Sequence, residues 1–132
     1  MKPIYTILLL AATMALAATL MAKENTDKKS DRLLRHVVAF KFKSSASKAD
    51  IEKVVDAFSA LPDKIKEIKK FEWGINNSPE GLNKGCTHGF ILNFHSEKDR
   101  DTYLVHPDHK AFGSLLGPHL EDVFVIDFWA EN

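Results

Sequence analysis

Two segments of this chain alternate at a strict period of two, and each opens its apolar set with a histidine. In His36-Val37-Val38-Ala39-Phe40-Lys41-Phe42 the even positions His36, Val38, Phe40 and Phe42 share one face. Between Thr87 and His95 the set is His88, Phe90, Leu92 and Phe94. Successive side chains of a strand point to opposite faces, so each segment reads as a strand with one apolar side. A third alternation places Phe71, Trp73 and Ile75 against Glu72, Gly74 and Asn76. The final apolar stretch, Val123 to Trp129, reads as a fourth strand.

Helical signals fill the intervals. Ser47 can cap a helix with Asp50 in its first turn, and Ile51, Val54, Val55, Phe58 and Leu61 form one apolar stripe. Pro62 stops that helix and opens a short turn through Ile65 and Ile68. Pro79, Gly81 and Gly85 mark residues 76–85 as a loop. Ser96 caps a second helix carrying Tyr103 and Leu104, which Pro107 interrupts; Gly113 and Gly117-Pro118 read as turn punctuation. The order β-α-β-β-α-β describes an α+β, ferredoxin-like sandwich, an antiparallel sheet with two helices on one face. The uncovered face then carries Val37, Ala39, Gly89 and Ile91, too apolar for water. A homodimer, sheet against sheet about a two-fold axis, is the simplest cover.

The first 22 residues read differently. Lys2 precedes an apolar run from Ile4 to Leu16, followed by small residues at Ala15, Ala17, Ala18 and Ala22, the pattern of a secretory signal cleaved after Ala17 or Ala22. The alternative is an uncleaved anchor over residues 4–22. The expectation is an exported protein, periplasmic or secreted, with no stable membrane association once the signal is removed. Residues 23–33 are charged and polar, a flexible leader, and residues 34–132 are the folded domain.

Composition removes several functions. Eighteen basic residues balance eighteen acidic ones with no long basic run, which argues against a nucleic-acid partner held by its phosphates. Cys86 is the single cysteine, so there is no disulfide framework and no multi-cysteine zinc site; it reads as a small half-buried residue. His106-x-x-His109 with Asp108 lacks a third strong ligand, so no metal is expected. No glycine-rich phosphate loop or other cofactor motif is present.

The remaining polar groups converge on one space. His36 and His88 share the inward faces of their strands, Tyr103 and His106 lie three apart on one helical face, and Pro107 swings His109 round. An apolar cavity with a few convergent polar groups is the default site for a small molecule. Each histidine taken singly reads as a satisfied core residue; together with Tyr103 they read as a pocket. His95 and His119 read as solvated.

These same residues carry a family resemblance. Leu34-Arg35-His36-Val37-Val38-Ala39-Phe40-Lys41-Phe42-Lys43, Phe71-Glu72-Trp73-Gly74, Thr87-His88-Gly89-Phe90, Tyr103-x-x-His106-Pro107-x-His109 and the strand at Val125-Ile126-Asp127-Phe128 resemble, in order, the landmarks of the stress-responsive dimeric α/β barrel (Dabb) family. The resemblance spans about residues 34–130 and implies a ferredoxin-like monomer paired into a dimeric α/β barrel through its sheet. One member of that family, the plant olivetolic acid cyclase, closes a linear polyketide by an aldol step. By motif position the resemblance gives His109 the role of base and Tyr103 that of substrate and oxyanion contact if the chain is an enzyme, with His36, His88 and His106 lining the pocket. Two readings follow: an exported dimer that binds a small apolar molecule, with a stress-related role, or a cofactor-free lyase, cyclase or monooxygenase.

Overall fold

The computed structural model describes residues 32–131. The expected signal over residues 1–22, and the expected leader except its last two residues, lie outside them. The elements are β1 (Leu34–Phe42), α1 (Lys48–Ser59), α2 (Leu61–Lys64), β2 (Lys70–Ile75), β3 (His88–Phe94), α3 (Glu97–Val105), α4 (Pro107–Leu116) and β4 (Leu120–Trp129). The four strands form one sheet in the order β2-β3-β1-β4, every neighbouring pair antiparallel. With the helices on one face only, this is the ferredoxin-like α+β arrangement.

The alternation in β1 sorts the two faces. Leu34, His36, Val38 and Phe40 are buried toward the helices, while the residues between them are only half-buried. α1 starts on a capping box: the Ser47 hydroxyl accepts from the Asp50 amide (3.1 Å), and the Ser47 amide donates to the Asp50 carboxylate (3.0 Å). That start orients Val54, Val55 and Phe58 into the core. There Phe58 packs on Phe112 (4.5 Å between ring centroids) and Phe90 (4.7 Å), and Phe40 on Phe90 (4.9 Å). These rings fill the middle of the layer between sheet and helices.

Three readings of the local sequence need correction. Pro107 does not merely break a helix; it begins α4, occupying the first turn where its missing N–H costs nothing. Gly113 lies inside α4 rather than in a turn. The short helix after Pro62 also ends earlier than the apolar spacing suggests, at Lys64, with Ile65 and Ile68 buried by the connecting segment.

The second face of the sheet is open. Val37, Ala39, Gly89 and Ile91 lie on it, and the register adds Phe124, Ile126 and Phe128 from β4, each 43–55% exposed. At one end the 76–87 loop is tied to the sheet through Asn76 N–H to Thr87 O (2.8 Å) and Thr87 N–H to Phe40 O (2.9 Å). Gly85, at φ +82°, makes this possible: a Cβ there would stand 2.7 Å from Lys41 Cε, whose stem runs against the loop to reach Glu121 (3.1 Å). No helix among the described residues is long and apolar enough to cross a membrane.

Candidate functional site

β1 and β4 pair His36 directly with Asp127, and their side chains meet with Nδ1 2.6 Å from Oδ1. A carboxylate only accepts, so His36 donates its Nδ1 proton and, when neutral, keeps an unprotonated Nε2. The other Asp127 oxygen accepts from Arg100 Nη1 at 2.9 Å, and Arg100 also grips Asp101. This pairing holds the guanidinium above its ordinary pKa. The result is a chain from α3 through Asp127 to a buried imidazole.

Tyr103 stands next to it from α3, with 1% of its surface exposed. Its ring lies 5.7 Å from His36, 5.3 Å from Phe94 and 4.3 Å from His109. Burial, reinforced by the Asp127 charge, pushes the phenol well above its ordinary pKa, so it is a proton donor throughout the neutral range. Among the described residues its hydroxyl takes no hydrogen-bond partner.

His109 completes the group from the first turn of α4. Its Nδ1–H donates to the Leu104 carbonyl (3.1 Å), one of those left open at the end of α3. Burial lowers its pKa, a lowering that this bond opposes and the nearby His36 and His106 reinforce. The neutral ring therefore presents an unprotonated Nε2, the form a general base requires. It is half-buried, the member of the group that solvent reaches.

The other two histidines have different partners. His106 is the N-cap of α4; its Nδ1 accepts from the Asp108 amide (3.2 Å), a structural duty for that nitrogen. His88 shares the inward face with His36 but pairs with Phe40, whereas His36 pairs with Leu92. Four residues of strand separate the two levels, about 13 Å, and the phenylalanine cluster fills the interval. His88 lies against Phe42 (5.3 Å) and Trp73 (6.3 Å), at the other end of the core from His36. His95 is exposed, and His119 stands near Asp50 (3.9 Å). Cys86 is half-buried. No group of three or more His, Cys, Asp or Glu side chains among the described residues is placed to hold a metal ion.

Sequence reasoning missed Asp127 and Arg100. Asp127 left a signal: it is a carboxylate at an inward position of an otherwise apolar strand. Arg100 left none, since it meets Asp127 only through the fold.

His109 and His88 both have pKa values held below the ordinary 6.5 by burial. The unfolded chain therefore takes up these protons first as the pH falls. Their contribution is fully present above about pH 6.5 and is lost as the pH drops through the folded values. Denaturant unfolding should show stability decreasing from about pH 7.5 to about pH 5, with a shallower decrease in His109→Gln. An equal slope in that variant refutes the assignment.

A family model described as Stress responsive A/B Barrel Domain matches residues 34–130. The chain belongs to that family. An Arabidopsis thaliana member, the stress-response A/B barrel domain-containing protein HS1, is 34% identical over 95 residues, covering 72% of this chain and 87% of that protein. Among solved structures, this A/B barrel chain resembles the hydroxynitrile lyase from Passiflora edulis at a TM-score of 0.71 and 26% identity, over 75% of this chain and 94% of that one. It also resembles a dimeric ferredoxin-like protein of unknown function from Thermobifida fusca, with a TM-score of 0.64 and 27% identity over 75% and 92% of the two chains. The A/B barrel scaffold thus carries its histidine–tyrosine group on the helix side of the sheet and its bare apolar surface on the other.

Proposed function

We propose that this protein is an exported homodimer that binds a small, largely apolar molecule bearing a carbonyl or hydroxyl group, placed against Tyr103 and His109, in a stress-related role. The carrying observation is the bond from His109 Nδ1–H to Leu104, which fixes the ring so that its Nε2 lone pair is available beside an unengaged phenol. Around them stand the apolar ring of Phe94 and the buried imidazole of His36. The dimer is supported by the bare apolar sheet face and by the dimeric state of the Thermobifida fusca relative. Export rests on the pattern of residues 1–22.

A second reading, a cofactor-free lyase, is favoured by the depressed pKa of His109 and by the likeness to a hydroxynitrile lyase. In that reading Nε2 takes the hydroxyl proton of a cyanohydrin, the C–CN bond breaks, a carbonyl forms and cyanide leaves with the electron pair. Tyr103 stabilises the oxygen as its charge develops.

Titration with benzaldehyde and mandelonitrile, followed by side-chain NMR of His109 and by cyanide release, tests both readings. Saturable shifts at His109, lost in His109→Ala and weakened in Tyr103→Phe, are the expected result. Absence of any shift overturns the binding site. Shifts without cyanide release remove the lyase reading, as does release that persists in His109→Ala.

A further inference from the structure

A cavity of about 760 Å³ lies on the open face, floored by Gly74, Gly89 and Ala39 and bounded by Phe124 on one side and Leu82 of the 76–87 loop on the other. The register explains its shape. Gly74 pairs with Gly89, Gly89 with Ala39, and Ala39 with Phe124, so one row across the whole sheet reads glycine, glycine, alanine, phenylalanine. The row is a trough ending in a ring that is 55% exposed.

Among the described residues nothing calls for the two glycines. Neither has a left-handed φ, and a Cβ built on either meets no atom within 4 Å. Glycine within a strand weakens it, by roughly 0.5–1 kcal/mol relative to alanine, and commonly marks the close approach of something from outside. The space is therefore open to a group that the described residues do not supply.

We propose that Phe124 of a second copy occupies the trough over Gly74 and Gly89, and that this reciprocal insertion sets the register of the dimer. This rests on the homodimer reading and adds the geometry. A two-fold axis lying between the sheets and parallel to the strands reverses the strand order of the second copy. Its β4 then covers β2, and each row faces itself in reverse, the ring of one copy above the glycines of the other. Aligned sheets pack about 10 Å apart, a spacing that a phenylalanine entering a glycine floor fills. Charge agrees with the same axis. Lys84 on the loop side of the cavity and Asp122 on the β4 side carry opposite signs, and each is brought to the other's counterpart across the interface.

Sedimentation of the wild-type protein, Gly89→Val and Phe124→Ala tests the insertion. Both variants are expected to raise the dimer Kd by about ten-fold or more, while Gly89→Val leaves the thermal stability of the monomer unchanged or higher. A cross-link gives the geometry directly. Gly74→Cys with Phe124→Cys, in a Cys86→Ser background, is expected to give a covalent dimer with a short bis-maleimide, whose span suits the roughly 10 Å between packed sheets. Within one chain these positions are three strand spacings apart, about 14 Å, and a link made there leaves the protein a monomer on a denaturing gel. A wild-type protein that stays monomeric at every concentration removes the homodimer reading itself. A stable wild-type dimer indifferent to Gly89→Val or to Phe124→Ala, or one that fails to cross-link, leaves that reading standing and overturns the insertion.

Discussion

Replacing Phe58 by alanine is expected to lower the free energy of unfolding by about 3–5 kcal/mol. The residue is 1% exposed and sits where four other rings meet, with Phe112 at 4.5 Å, Phe90 at 4.7 Å, Phe71 at 5.2 Å and Phe40 at 5.8 Å. Two terms add. The apolar surface returns to water on unfolding without its former gain, and the void left behind cannot close because rings from both the sheet and α4 define it. A double-mutant cycle of Phe58→Ala with Phe112→Ala should give a coupling of about 0.5–1.5 kcal/mol for the stacked pair. Urea unfolding measures both quantities. A loss below about 1 kcal/mol in the single variant, out of line with large-to-small changes in cores, shows that the cluster is not the centre of the core.

Asp127→Ala is the second large effect, about 2–3 kcal/mol by the usual cost of stranding buried polar groups. The carboxylate is shared: His36 is buried and donates to one oxygen at 2.6 Å, and Arg100 donates to the other at 2.9 Å. Removing it strands an imidazole N–H inside the protein and releases a guanidinium that still has Asp101. Arg100→Met should therefore cost less, about 1 kcal/mol or below, because its side chain is partly solvated and the His36–Asp127 contact survives. The asymmetry between the two variants is the diagnostic result. Asp127→Asn should in addition lower the pKa of Tyr103, since a negative charge beside the phenol is gone. Ultraviolet titration of the tyrosine reads that shift; an unmoved phenol separates Asp127 from the site.

The strands and their faces were legible because alternation is a local signal with a fixed period. β1 and β3 fall where Val38, Phe40, Phe90 and Leu92 demand, and the bare face follows from the intervening residues. Parity gives a face but not a level along it. His36 and His88 are therefore indistinguishable in the sequence, yet stand at opposite ends of the core. Gly113 was misread because propensity weighs one residue, whereas burial of Phe112 and Leu116 from the same helix outweighs it. His106 illustrates a third limit: its chemistry matches a ligand contact, but the start of a new helix at Pro107 claims its nitrogen first. The Arg100–Asp127–His36 chain joins residues 27 and 91 positions apart, and no spacing rule reaches that far.

Every strand of this sheet serves two masters on alternate residues. Along β1, His36, Val38 and Phe40 belong to the buried layer beneath the helices, while Val37 and Ala39 belong to the open face of the sheet. Point substitutions can therefore change the packing of one face and leave the other intact. A one-residue deletion within β1 has no such freedom. It exchanges the two faces over the remainder of the strand, turning a histidine outward and a bare alanine inward, and disrupts both faces at once.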